Sequence, residues 1–177
     1  MFGGVGMTTF AEFDLMPDPE GLFYLELHNG QPVQMSRPSL GLSFTRKGLA
    51  VLLDTASPAG VAFVHVGFRP AEYEYRIADV AYCSHEPWAK EDRQGQFMGV
   101  PEIVVEVLSP SNTASEMLAK EQLCLQNGGR EFWIVDIERR QVKVSTPDGH
   151  TVTYRTGQQI PLFFAPTATL AVEAIFG

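Results

Sequence analysis

The chain has 177 residues, 45% of them hydrophobic and 19% charged, with a formal net charge of −8. That is the size and apolar content of one globular domain, so residues 1–177 are expected to form a single unit with a full core. No apolar stretch approaches the roughly 18 residues of a membrane helix, which excludes a helical span. The acid excess weighs against a broad nucleic-acid surface, though not against a nuclease whose cations gather in one cleft.

The start, MFGGVGM, lacks the basic and long apolar segments of a signal peptide, and its glycines predict a mobile leader over 1–7. Thr9 and Glu12 have capping-box spacing, which predicts a short helix over 10–15. "FYLELH" and "PVQMS" flank Asn29-Gly30, a strong hairpin signal. After Pro38, Leu42, Leu49, Leu52 and Leu53 recur near helical period in "SLGLSFTRKGLAVLLDTAS". "VAFVHVGF" and "EYEYRIADVAYC" read as strands, and polar 84–99 as a loop. "VPEIVVEVLSPSN" supplies a further strand, and Thr113 with Glu116 opens a helix over 114–127 that Asn127-Gly128-Gly129 closes. "EFWIVDI" and "QVKVST" read as paired strands, and 151–175 as short strands separated by prolines. The plan is α/β (α+β), a central mixed β-sheet flanked by helices with an N-terminal β-hairpin. Cys83 and Cys124 lie far apart without a CxxC pattern, and His28, His65, His85 and His150 have no metal-ligand spacing. This suits reduced thiols, a cytoplasmic setting and no zinc.

Two acids stand out because their surroundings are apolar. Asp79 sits in "YRIADVAYC" and Glu106 in "IVVEVL", on strands expected to be sheet neighbours. An ionised carboxylate in such a run costs several kcal/mol unless a counter-charge compensates it. Two side by side repel, which favours a cation between them, and carboxylates with waters are the ligand set Mg²⁺ prefers. Pairing of Glu106 with a lysine or arginine, or a solvent-facing position at a strand end, explains the pattern as well.

The motifs "TTFAEF", "YLELHNGQPVQMS", "ADVAY", "PEIVVEVLSPSN", "AKEQL" and "GGREFWIVD", matched in order and spacing over about residues 8–146, resemble the Uma-two family of restriction endonucleases. That family belongs to the PD-(D/E)XK nuclease superfamily. The resemblance implies a restriction endonuclease-like core with Mg²⁺ (or Mn²⁺) as cofactor, DNA as partner and, as is common in the superfamily, a homodimer. It puts Asp79 and Glu106 in the places of the two motif acids, as metal ligands and catalytic residues. The lysine usual two positions after the second acid is Leu108 here, so the resemblance points to Lys120 on the following helix. About two helical turns past Thr113, a long ammonium stem there could position water or neutralise developing charge. Glu26 resembles a further family acid that extends the metal site, although cross-strand pairing would also account for it.

The match departs in three places: Ala78 replaces the proline before the first acid, "RPSLGLSF" lacks a histidine, and Cys124 replaces a tyrosine. Glu121 is either an outer neighbour of the site or salt-bridged. Phe132 and Trp133 are expected in the core, Asp136 as a strand-end cap, and Ser109–Asn112 as a structural loop. Two functions therefore stand: a Mg²⁺-dependent phosphodiesterase acting on DNA, and a catalytically silent nuclease-fold module for binding or assembly. A positive cleft around Glu106 would favour the first, a uniformly negative face the second.

Overall fold

The computed structural model describes residues 6–84 and 97–177. Thr9 accepts a hydrogen bond from the Glu12 N–H while Glu12 reaches back to Thr9, and this capping box starts α1 (Phe10–Asp14). Strands β1 (Phe23–His28) and β2 (Gln31–Ser36) close on Asn29 and Gly30, whose φ values of 47° and 71° are those a type I′ turn requires. Ser39 caps α2 (Leu40–Ala56), which buries Leu49 and Leu53. Strands β3 (Gly60–Arg69), β4 (Arg76–Ser84), β5 (Phe97–Met98) and β6 (Ile103–Val107) follow. Helix α3 (Ala114–Gln126) begins with the second capping box, Thr113 and Glu116. It leads to β7 (Glu131–Asp136), β8 (Gln141–Ser145) and β9 (Thr151–Arg155).

Seven strands form one mixed sheet in the order β5-β3-β4-β6-β7-β8-β9, with β3/β5 and β6/β7 parallel and the other neighbours antiparallel. One face carries Val80, Tyr82, Ile103, Val105 and Trp133 and packs on α2. The same cluster takes in the tail: β10 (Gln159–Pro161), β11 (Thr169–Ala171) and a short helix α4 (Val172–Ile175). The other face carries Ala81, Val104 and Phe132 beneath Cys124 of α3. Alternation along β6 thus sends Val105 and Val107 to the α2 side and Val104 to the α3 side.

Most expected elements appear within a residue or two of their expected bounds. The tail differs by ending in α4, and Phe97–Met98 of the expected loop pair with β3. Residues 85–96 of that loop, His85 among them, and leader residues 1–5 lie outside the described residues. Leader residue Met7 packs on the hairpin, where a Cβ on Gly30 would collide with it, and the neighbouring Thr8 N–H donates to Gly30 O at 2.9 Å. Phe132 and Trp133 are fully buried, as expected, and Cys83 and Cys124 are buried thiols. Asp136 accepts from the Arg139 N–H at 3.0 Å, a strand-end cap, and Asn112 Oδ1 accepts from the Ser109 N–H, tying the expected loop. Glu121 is salt-bridged to Lys143 at 2.7 Å. Among the described residues no helix is long and apolar enough to cross a membrane.

Candidate active site

The site begins where the sheet comes apart. Strands β4 and β6 pair through Tyr82↔Ile103, Ala81↔Val104 and Val80↔Val105, and there the ladder stops. The next residues in register are Asp79 and Glu106. Instead of a backbone rung, Asp79 Oδ2 accepts from the Val107 N–H at 2.8 Å. Strand β4 continues along β3 and β6 along β7, which opens a fork. On the β3 side, His65 lies opposite Asp79, outside the ladder, with a φ of 56° that non-glycine residues seldom adopt.

The fork frees backbone groups of Ile77, and side chains satisfy both. Glu26 Oε1, from β1, accepts the Ile77 N–H at 2.9 Å, and Lys120 Nζ, from α3, donates to Ile77 O at 2.7 Å. Lys120 Nζ also lies 2.8 Å from Glu106 Oε1 and 3.8 Å from Glu26 Oε1. Because the fork is a gap in the sheet, the other layer reaches it too: Arg46 of α2 forms an ion pair with Asp79 Oδ1. Glu26 Oε2 faces His28 Nε2 at 2.7 Å, and that same nitrogen meets Arg76 Nη1 at 2.7 Å. Glu26, Arg46, Arg76, Asp79, Glu106 and Lys120 are all buried.

Electrostatics distinguishes the acids. Burial alone would raise the Glu26 pKa, but Lys120, His28, the Ile77 N–H and Arg76 together pull it down to about 2. For Glu106 burial wins, aided by the nearby Asp79, and its carboxyl is pushed up despite Lys120. Burial opposes the Lys120 charge as well, yet Glu106, Glu26 and Asp79 hold its pKa above the usual lysine value. The proton of this pair thus stays on Lys120 more firmly than any proton stays on Glu106. Burial, then the Arg46 charge, lowers the His65 pKa.

Glu26, Arg46, Arg76, Asp79, Glu106 and Lys120 line a cavity of about 360 Å³ between β1, α2, the 109–112 loop and α3. Arg37, Arg46, Arg76 and Lys120, four of the chain's thirteen Lys and Arg, face four acids there: Glu26, Asp79, Glu106 and Glu116. Counted with each of these groups ionised, the lining is balanced in charge within a protein of net charge −8. By that formal count it is neither the positive cleft expected of the first function nor the uniformly negative face expected of the second.

Asp79, Glu106, Lys120 and Glu26, singled out from the sequence, therefore meet in one cavity. Among the described residues no group of three or more His, Cys, Asp or Glu side chains is arranged to hold a metal ion. A Mg²⁺ ion needs less than such a cage, since one or two carboxylates with waters and substrate oxygens suffice. Glu106 is chemically suited to this: its buried Oε1 touches Lys120 but accepts no well-directed hydrogen bond. Sequence reasoning missed Arg46, Arg76 and His28. Arg46 had a legible signal, because it lies on the Leu42, Leu49, Leu53 stripe of α2, a charge on an apolar face as conspicuous as Glu106 in its strand.

The chain matches the family profile of Uma2, described as "Putative restriction endonuclease", over residues 10–176. The chain belongs to the Uma2 family. A crystal structure titled "putative nuclease belonging to DUF820", from Anabaena variabilis ATCC 29413, shares the fold: it superposes with a TM-score of 0.81 at 20% sequence identity, covering 95% of this chain and 97% of that one. No curated protein matches this Uma2 chain.

Proposed function

We propose that this Uma2 chain is a divalent-metal-dependent endonuclease that hydrolyses DNA phosphodiester bonds, with the fork between β4 and β6 as its active site. One observation carries the reading: Glu26, Asp79, Glu106 and Lys120, from β1, β4, β6 and α3, reach one cavity where the sheet ladder ends. Asp79 and Glu106 would hold Mg²⁺ or Mn²⁺, with Glu26 behind them. A divalent ion so bound polarises a phosphoryl oxygen and lowers the pKa of a bound water.

The chain's own groups do the rest. Asp79 is aimed by the Val107 N–H, which keeps its carboxylate at the fork. Lys120 is locked by Ile77 O and Glu106 and keeps its proton, so it offers fixed positive charge where phosphoryl charge grows. Glu26 fixes Lys120 and the Ile77 backbone from the other side. The family description and the nuclease title of the structural relative support the same chemistry.

A second reading, a catalytically silent binding or assembly module, has one observation in its favour: Asp79 and Glu106 are each paired with a cation of the chain. Incubating supercoiled plasmid with the protein and Mg²⁺ or Mn²⁺, beside Glu106→Gln, separates the two. Nicking or linearisation that needs the ion and is abolished by the substitution is expected. Plasmid left intact by the wild type with either ion refutes the nuclease reading.

A further inference from the structure

We infer that Arg46 is a displaceable counter-ion, closing the Asp79 carboxylate in the unloaded site and turning to a phosphodiester anion of nucleic acid when the site loads. This rests on the nuclease reading. Arg46 is 7% exposed, lines the cavity and meets Asp79 Oδ1 through Nη2, while its buried Nε has no hydrogen-bond partner. Its guanidinium thus keeps the Nε donor unused and available to a second anion. Guanidinium suits that exchange, because its planar fork takes carboxylate or phosphate oxygens in the same two-pronged manner.

Neighbouring contacts let the side chain leave without disturbing the site. Asp79 keeps the Val107 N–H on Oδ2, so the carboxylate remains aimed when Oδ1 is vacated. Leu49 and Leu53, fully buried, anchor α2 independently of Arg46. Two constraints then make the exchange conditional. A dication on Asp79 and the Arg46 charge repel each other, so the ion and Arg46 compete for the same oxygen. A buried guanidinium stripped of its partner is costly, so Arg46 yields only when another anion is within reach. A phosphodiester is that anion, and ion and nucleic acid therefore bind with positive coupling. Reciprocity requires each to strengthen the other by the same factor.

The test measures binding. Ca²⁺ affinity is read by calorimetry with and without a short DNA duplex, and duplex affinity by fluorescence anisotropy with and without Ca²⁺, a gel verifying that the duplex stays intact. In the wild type the duplex should strengthen Ca²⁺ binding at least about tenfold. In Arg46→Gln, Ca²⁺ alone should bind about tenfold tighter than to the wild type, duplex binding should weaken about tenfold, and the coupling should vanish. Arg46→Lys, which keeps the charge and loses the fork, provides the readout should the glutamine variant not fold. Its duplex affinity should drop several-fold while its Ca²⁺ affinity stays within about threefold of wild type. Equal or weaker Ca²⁺ binding in Arg46→Gln, or unchanged duplex binding in both variants, overturns the inference about Arg46 alone. A wild type that binds neither Ca²⁺ nor duplex, alone or together, overturns the nuclease reading with it.

Discussion

Replacing Glu26 by glutamine keeps the shape of the side chain and one acceptor for the Ile77 N–H, but removes the charge that faces Lys120, His28 and Arg76. Glu26 is 1% exposed, so solvent screens these contacts little. Its pKa falls from 4.5 to about 2 on folding, and at 1.36 kcal/mol per unit this corresponds to roughly 3 kcal/mol favouring the folded state. Because the folded pKa is depressed, that stability is present above pH 4.5 and is lost as pH falls toward 2. Urea unfolding at pH 7 should therefore find Glu26→Gln less stable by about 3 kcal/mol, with the gap shrinking to less than half by about pH 3. Equal stabilities at neutral pH, or a gap that does not narrow in acid, would refute the charge-based account of Glu26.

Lys120→Met should cost about 3–5 kcal/mol in the same assay, because it strands Glu106 and Glu26 in a buried site and leaves Ile77 O without its donor. A loss below about 1 kcal/mol would mean that the ammonium contributes little to folding. Denatured protein should titrate two thiols without reductant, while native Cys124, whose pKa burial pushes up to about 12, should react with a disulfide reagent far more slowly than an exposed thiol. A fast-reacting native Cys124 would contradict its burial.

Local rules made most of the framework readable. Two capping boxes and the Asn29-Gly30 turn are written in adjacent residues, and α1, the hairpin and α3 start or turn where those residues stand. The two acids were readable for the complementary reason, since each violates its apolar surroundings. What stayed hidden depended on pairing between distant segments. That β4 and β6 separate beyond Val80↔Val105 follows from their different partners, β3 and β7, and no local pattern encodes it. The duties of Glu26 and Lys120 toward Ile77 are consequences of that separation. Arg46 shows the opposite case, a violation as plain as Glu106 whose partner lies two strands on in the chain.

The fork also explains why Glu106 is the residue on which function should be tested. Glu26, Lys120 and Asp79 each hydrogen-bond a backbone group that the open ladder leaves unpaired, so their substitution confounds folding with chemistry. Among the described residues Glu106 accepts no hydrogen bond from a backbone N–H, and its Oε1 lacks a directed donor. Burial raises its pKa on folding, so ionised Glu106 works against the folded state: the stability tied to its proton is present below pH 4.5 and is lost as pH rises through the folded value. Glu106→Gln should accordingly match or exceed the wild type in melting temperature at pH 7 without metal, since Lys120 keeps Ile77 O and the Glu26 charge. Saturating Mn²⁺ should raise the melting temperature of the wild type and leave the variant unmoved, because an ion that binds only the folded state must stabilise it. A variant destabilised by several kcal/mol, together with a wild type indifferent to Mn²⁺, would instead mean that Glu106 is kept in its apolar strand as the structural partner of Lys120.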